Sequence, residues 1–189
     1  MAIEEFVAEA SERRFPTEYV VDKPSITALR LAFDASDGCY GSSYERLTDG
    51  ATDQFWHSCE NEQENAEDLY PWVMSFDLGM IVNLSRFRLD ERQGCCGDRS
   101  PGSYQIWASN DILNAETVNI DEVSLADWEK NAREKGWIKL LDVSGNNQPT
   151  IEVELPESDV EYRYVRVVGI SSIGGGLVAN FSELTFWGK

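Results

Sequence analysis

Turn-forming residues divide the chain into short segments that are rich in aromatic and β-branched side chains. These segments indicate β-strands because their apolar and polar residues partly alternate, and the Gly, Pro, Asn and Asp between them are typical of turns. Strands that follow one another without intervening helices favour an antiparallel sandwich or barrel. The predicted strands lie at residues 72–79, 84–90, 103–109, 137–143, 150–156, 162–170 and 181–187.

One segment, SLADWEKNAREKG at residues 124–136, has a helical pattern instead. Ser124 is a candidate N-cap, Leu125, Trp128 and Ala132 recur at helical spacing, and Gly136 follows as a stop signal. We therefore predict one short helical insertion in a loop between strands. The preceding DILNAETVNIDEV, residues 111–123, is acidic and polar, and we expect it to be exposed.

The last long strand, YRYVRVV at residues 162–168, predicts a sheet with one face in water. Alternation separates its side chains into two sets, with Tyr162, Tyr164 and Arg166 on one face, and Arg163, Val165 and Val167 on the other. Trp56, Trp72 and Trp107 are expected in the core.

Residues 1–24 differ from the rest and are interpreted as an N-terminal linker or a strap across the body. EEFVAEASERR could form a short amphipathic helix, but Pro16 and Pro24 interrupt the residues after it. At 189 residues, of which 42% are apolar, the chain suits one domain, which we place at residues 25–189.

The charge of the chain restricts its partners. Sixteen Lys and Arg against 34 Asp and Glu give a net charge of −18, which repels nucleic acid and anionic lipid head groups. Phospholipid recognition is further disfavoured by the anionic stretch CENEQENAED. No apolar run approaches the ~20 residues that span a bilayer, and the first residues lack signal-peptide features. Either the protein is cytosolic or an export signal has been removed.

Cys39, Cys59, Cys95 and Cys96 are an even number of cysteines and are compatible with disulfides or with unpaired core thiols. A zinc site is disfavoured because none of them forms C-x-x-C. Catalysis is also disfavoured: the sole histidine, His57, lacks a recognisable nucleophile context, and the glycines of SIGGGLVAN lack the lysine and helix of a phosphate-binding loop. We predict that the domain is not an enzyme.

An ordered set of motifs resembles a known family. LTDGATDQFWHS, YPWVMSFDLG, SRFRLDER, SYQIWASND, GWIKLLDV, YRYVRVVG and FSELTFWG follow one another at suitable spacing. Over roughly residues 25–189 the chain is similar to the discoidin, or coagulation factor V/VIII type C, domain of the galactose-binding-like superfamily. The helical insert and YPWVMSFDLG further resemble variants in surface proteins of gut Bacteroidetes. The resemblance implies an all-β antiparallel jelly-roll β-sandwich whose loops at one end bind a ligand.

On this chain the resemblance places the binding loops at about residues 34–46, 57–71 and 92–102, and all four cysteines fall in them. This suggests disulfides at one end of the sandwich and an exported, extracellular or cell-surface protein. Because adjacent cysteines do not easily bond each other, we expect Cys95 and Cys96 to bridge to Cys39 and Cys59.

The resemblance also implies a carbohydrate site. Sugars need an apolar surface and fixed hydrogen-bonding groups. The candidates are two guanidinium groups, one imidazole and two rings: Arg92, Arg99, His57, Tyr40 and Tyr70. Alternatives stay open, because His57 could be packed under its loop by Trp56, either arginine could form an ordinary surface ion pair, and Tyr40 could cover a disulfide.

A structural Ca²⁺ that joins the Asp-Gly turn to the C-terminal strand is the second implied feature. Asp49 and Glu183 occupy matching positions. Ala51 stands where the family usually has Asp or Asn, and Gln54 where it has Thr, so Asp53 or Thr52 would have to compensate. Alternatively, Asp49 only caps its own turn.

The function expected from the resemblance is a non-catalytic carbohydrate-binding module of a bacterial cell-surface glycan-capture protein, with a mono- or oligosaccharide as ligand and further domains in a longer parent chain. The alternative is a protein-interaction or adhesion module on the same fold. A small polar pocket would favour the first, and a broad apolar surface the second.

Overall fold

Two antiparallel β-sheets lie face to face in the computed structural model, which describes residues 17–59 and 68–189. The elements in chain order are β1 (Tyr19–Val20), β2 (Thr27–Ala28), β3 (Trp56–His57), β4 (Trp72–Val82), β5 (Leu84–Asp90), β6 (Pro101–Ser109), α1 (Leu125–Glu134), β7 (Ile138–Val143), β8 (Ile151–Glu154), β9 (Tyr162–Ser172), β10 (Asn180–Phe181) and β11 (Glu183–Gly188). Short 3₁₀ turns at Lys23–Ser25, Tyr44–Leu47, Gly97–Arg99 and Ile120–Glu122 connect some of them.

One sheet has the order β1-β11-β5-β8, the other β2-β4-β9-β6-β7, and β3 pairs with β10 separately. Every pairing is antiparallel. The predicted jelly-roll sandwich with one helical insertion is confirmed. The predicted strand segments are strands, with ends that differ by a few residues.

The main core lies between the sheets because alternate side chains of each strand point inward. From β4, Trp72, Met74, Phe76 and Leu78 enter this core, and Phe87 and Phe186 meet them from the opposite sheet. Trp56, which is fully buried, closes the core at one end against Trp72 and Phe181. The predicted core positions of Trp56 and Trp72 are confirmed.

The outer face of the five-stranded sheet is covered, so the prediction that it faces water is wrong. A second apolar cluster lies there, built from Val73, Trp107, Ala115, Ile120, Trp128, Ala132, Trp137 and Val168. It includes Ala115 and Ile120 from the segment that we expected to be exposed. The segment carries enough apolar side chains to seal the sheet, and Arg166, on the same face, is consequently fully buried.

Helix α1 forms as its sequence predicts. The Ser124 side chain accepts a hydrogen bond from Asp127 N at 3.2 Å, and Gly136 adopts a φ of 87° just after the last turn. Trp128 and Ala132 are buried, and the Trp128 ring contacts Trp107 edge-on at 5.7 Å. The helix therefore serves to cover the sheet.

The described part of the N-terminal segment, residues 17–24, lies on the sandwich. Tyr19 and Val20 form an edge strand beside β11, and Val21 is fully buried. The predicted helix in residues 4–14 lies outside the described residues. Within the described part of the chain, no helix combines the length and apolar character needed to cross a bilayer.

Candidate functional site

Three loops meet at the end of the sandwich where β4 and β6 begin and β9 ends, and we call this end the loop pole. Tyr70 Oη donates to Arg99 O at 2.9 Å, and Ser36 N donates to Asp68 Oδ1 at 2.8 Å. These hydrogen bonds connect the predicted binding loops. Residues 60–67 of the second loop lie outside the part of the chain that the structure describes. The loop pole therefore brings together side chains that are far apart in sequence.

His57 and Arg99 form the floor of the loop pole. His57 is 2% exposed, and its Nδ1 lies 2.5 Å from Ser58 O, which places the proton on that nitrogen. Nε2 is then an acceptor, and Arg99 Nη1 donates to it at 2.9 Å. The imidazole thereby fixes one edge of the guanidinium in place.

Gly38 lets the first loop approach this floor. Cys39 N donates to His57 O at 2.8 Å, and a side chain at Gly38, whose φ is 72°, would collide with that same carbonyl. Only glycine combines the left-handed backbone with the missing Cβ that this approach requires.

Tyr40 stands above the floor with an exposed ring. Its ring centre lies 4.9 Å from that of His57 in an edge-on arrangement, and 61% of the residue is exposed. Its φ of 61° is unfavourable for a bulky residue, and such strain is concentrated at ligand sites. Tyr40 offers a flat apolar face at the loop pole.

Arg92 lies on the other side of the same pole. Its guanidinium lies 3.7 Å from the centre of the Phe55 ring, and the neighbouring Gln93 Nε2 donates to Thr52 Oγ1 at 2.7 Å. The Phe55 ring is itself 6.4 Å from His57, so both arginines flank the same imidazole region. Stacking on a ring leaves the guanidinium N–H groups directed outward in its plane.

The Tyr70 ring is largely buried. It is 6% exposed, packs against Trp72 and supports the Arg99 backbone through its hydroxyl. Burial raises the pKa of this hydroxyl well above its ordinary value, so it remains a donor. The structure gives Tyr70 the role of holding the loop of Arg99.

The predicted cysteine pairing is wrong. Cys39 bonds Cys59, and Cys95 bonds its neighbour Cys96. The first pair forms because Cys39 N and His57 O are hydrogen bonded, which brings residue 39 beside the strand that leads to residue 59. Cys95 and Cys96 are then left to each other, at a turn in which Cys96 has a φ of 68°.

Three residues at the loop pole were missed by sequence reasoning: Asn180, Phe55 and Leu177. Asn180 is opposite His57 in the β3–β10 pair, fully buried, and neither of its amide atoms has a hydrogen-bond partner in the described part of the chain. The available signal was a polar residue inside the apolar run LVANF. Leu177 is 60% exposed, and its carbonyl accepts from Tyr70 N at 2.8 Å.

Two of the predicted calcium ligands, Asp49 and Glu183, already accept hydrogen bonds from groups of the protein. Asp49 Oδ1 accepts from Ala51 N at 2.7 Å and so caps its own turn, and Asp53 is exposed. Glu183 is 3% exposed and pairs with the ammonium of Lys23. The described residues contain no cluster of three or more His, Cys, Asp or Glu that is arranged to hold a metal.

Comparison with known proteins gives one family and several shared folds. A family model described as a domain of unknown function matches residues 48–188. No curated protein matches the chain at significant similarity.

Solved structures that resemble this chain include a SusE-like protein, BT2857, with 22% identity, a TM-score of 0.65, and coverage of 90% of this chain and 100% of that one. The family 32 carbohydrate-binding module of NanJ from Clostridium perfringens, in complex with galactose, has 16% identity, a TM-score of 0.60, and coverages of 90% and 99%. A family 32 module from a family 31 glycoside hydrolase of Clostridium perfringens has 18% identity, a TM-score of 0.64, and coverages of 90% and 96%. At these identities the likeness shows a common fold.

Proposed function

The chain belongs to the DUF5000 family, and we propose that this member is a non-catalytic carbohydrate-binding module whose site is the loop pole. The observation that carries the proposal is the arrangement of hydrogen-bonding groups beside an exposed ring. The His57–Arg99 pair forms a fixed polar floor, and Tyr40 stands 4.9 Å from the imidazole with 61% of its surface exposed. A sugar needs this combination, because its C–H faces are apolar and its hydroxyls need directed partners.

Each group has a separate task in this proposal. Arg99, whose guanidinium is a planar fork of N–H donors, donates to sugar hydroxyls, and His57 holds it in position. Arg92, held over Phe55, supplies a second fork of donors. Asn180 lies fully buried beside His57, so it is given no direct contact with the sugar.

The described parts of the loop pole are suited to binding because they are fixed before a ligand arrives. Disulfide Cys39–Cys59 secures the loop of Tyr40, and Cys95–Cys96 lies in the loop that carries both arginines. Prior ordering of this kind lowers the entropy that a ligand would otherwise remove on binding.

The chemistry of the loop pole favours binding without catalysis. Both nitrogens of the only histidine are engaged, Nδ1 with Ser58 O and Nε2 with Arg99. The two cysteines beside His57, Cys39 and Cys59, are joined in a disulfide and are therefore not nucleophiles.

We place the protein outside the cell or on its surface, as a glycan-capture component of a larger bacterial assembly. Two disulfides within the described residues suit an oxidising compartment. The resemblance in fold to a SusE-like protein and to modules of glycoside hydrolases is consistent with this setting. No structural calcium enters the proposal.

A protein-binding or adhesion role is the second candidate, and one observation favours it. A groove of about 560 Å³ beside the loop pole is lined in part by Phe33 and Leu177, which are 58% and 60% exposed. Exposed apolar side chains of this size are common at protein interfaces.

The test is binding of the purified chain to an array of neutral and acidic glycans, followed by titration with galactose and N-acetylgalactosamine. Arg99→Ala should weaken binding by about 10- to 100-fold, because a charged hydrogen-bond donor contributes about 1.5 to 3 kcal/mol. Arg163→Ala is the matched control, since Arg163 pairs with Asp77 at 2.8 Å at the far end of strand β9. It should bind like the unmodified chain.

Circular dichroism must show that both variants are folded. Equal binding by Arg99→Ala and Arg163→Ala would exclude the loop pole as the glycan site. Failure to bind any glycan, together with a protein ligand lost in Leu177→Ser, would favour the second candidate.

A further inference from the structure

We infer that the ammonium group of Lys23 takes the place of a structural calcium ion, so that this sandwich is held together without one. Lys23 lies in the 3₁₀ turn Lys23–Ser25, and its Nζ donates to Glu183 Oε1, to Leu184 O at 2.9 Å and to Thr185 Oγ1 at 2.9 Å. An ammonium has three N–H donors, so these partners use all of them. The side chain is largely shielded, at 18% exposed, and Glu183 is more so, at 3%.

The ammonium of Lys23 takes up acceptors that a calcium ion at Glu183 would need. Calcium binds six to eight oxygens at about 2.3–2.6 Å. Lys23 Nζ already holds Glu183 Oε1, Leu184 O and Thr185 Oγ1, and an ion sharing these oxygens would lie within a few ångströms of the positive Nζ. One buried oxygen, Glu183 Oε2, has no donor within the described residues, and a single oxygen does not make a calcium site.

The turn at Asp49 and Gly50 is also arranged for a carboxylate and not for a cation. Gly50 N donates to Glu183 Oε1 at 3.3 Å, so this N–H group and the Lys23 ammonium share one carboxylate oxygen. Asp49 turns its carboxylate to its own backbone, through the bond from Ala51 N. Gly50 N and Asp49 Oδ1 are thus both used in hydrogen bonds within the protein.

The Lys23 contact joins the same parts of the fold that the predicted ion would join. Glu183 connects the turn of Gly50 to β11, and Lys23 adds the N-terminal segment, which is 160 residues away in sequence. The ammonium is covalently part of the chain, so the junction does not depend on the calcium concentration outside the protein. The described residues 17–24 of the N-terminal segment consequently belong to the folded unit.

The experiment is thermal unfolding of the whole chain in excess calcium chloride and in EDTA. The midpoint of the unmodified chain should be the same in both. Lys23→Met keeps the apolar stem and removes the charge, which leaves Glu183 buried and unpaired, so its midpoint should fall by about 6 °C or more in both conditions. Lys23→Arg should recover part of the loss.

Lys139→Met is the matched control. Lys139 is 21% exposed and also pairs with two carboxylates, but one of them, Glu129, keeps a second partner in Arg133 at 2.9 Å. Its midpoint should change less than that of Lys23→Met. A midpoint of the unmodified chain that calcium raises and EDTA lowers would overturn the inference, and so would equal midpoints for the two methionine variants.

A direct binding measurement keeps the inference testable if Lys23→Met does not fold. Terbium, which has ligand preferences like those of calcium, is titrated into the unmodified chain and its tryptophan-sensitised luminescence is followed. We expect no saturable terbium luminescence that depends on Glu183. A saturable signal that calcium displaces and that Glu183→Gln abolishes would overturn it.

Discussion

Arg166 is a charged residue without any exposed surface, and its neighbours explain how the interior holds it. Its Nε donates to Ser75 Oγ at 2.8 Å, and its guanidinium lies 4.2 Å from the centre of the Trp137 ring. The counter-charge is Asp34, whose side chain is 1% exposed, with 3.6 Å between Arg166 Nη2 and Asp34 Oδ1. Loss of either partner leaves a buried charge without compensation.

This pair predicts a pH-dependent defect in Arg166→Met. Burial raises the pKa of Asp34 to about 6, and Arg166 opposes that rise. A carboxyl with a raised folded-state pKa contributes stability below its unfolded pKa of about 3.9, and this contribution is lost as the pH rises through the folded value. Without Arg166 the pKa rises further, so Arg166→Met should lose about 3 to 5 kcal/mol at pH 8 and less at pH 5, measured by urea unfolding.

Two variants make this result specific. Arg163→Met, on the same strand but in an exposed pair with Asp77, should show a small change that does not depend on pH. Asp34→Asn combined with Arg166→Met removes the titrating group and should remove the pH dependence. An Arg166→Met defect of equal size at both pH values would contradict the assignment of the charge pair.

Single residues of the loop pole were predictable where their chemistry is rare in the sequence. His57 is the only histidine, and Tyr40 and Arg99 lie in loops that the family resemblance identified. Asn180 and Arg166 were not predictable, because alternation alone suggests that a polar residue in a strand faces water. Their burial depends on parts of the chain that fold over them.

Helix α1 and the segment before it show the same limit at the scale of elements. The helix was predictable from its cap and its apolar spacing, but its packing partner was not. Trp137 Nε1 donates to Ala115 O at 2.8 Å, and this bond joins the end of the insert to its beginning across the sheet. Short-range sequence patterns contain no information on such a contact. For this reason, the outer face of the five-stranded sheet was expected to face water.

The insert should therefore contribute to the stability of the whole sandwich. Trp128, a residue of α1, is fully buried against Trp107. Trp128→Ala should therefore lower the free energy of unfolding by about 3 to 5 kcal/mol. Leu113→Ala, at a residue of the same insert that is 90% exposed, should change it by about 0.5 kcal/mol or less. Urea unfolding followed by tryptophan fluorescence measures both, and equal effects would mean that the insert is not part of the cooperative unit.

At the scale of the whole molecule, the order of the strand motifs was sufficient to predict the sandwich and the end at which its loops meet. The order of the motifs was insufficient for the disulfides, because all four cysteines fall in the loops of that end and their positions in the sequence give no unique pairing. The backbone hydrogen bond from Cys39 N to His57 O determines the pairing, because it holds the first loop beside the strand that precedes Cys59. That bond in turn depends on Gly38.

The two disulfides should consequently differ in their effect on the molecule. Cys39–Cys59 closes a segment with a sequence separation of 20, so replacing both residues by serine should cost about 3 kcal/mol through the entropy of the unfolded chain. Cys95–Cys96 has a separation of 1 and restricts the unfolded chain little, so its double serine variant should retain nearly all of the stability. Guanidinium unfolding of the two double variants compares them directly, and equal losses of stability in both would contradict the prediction.

Mass spectrometry of a non-reduced digest of the unmodified chain checks the pairing independently. A peptide that links Cys39 or Cys59 to the Cys95–Cys96 turn would contradict the pairing.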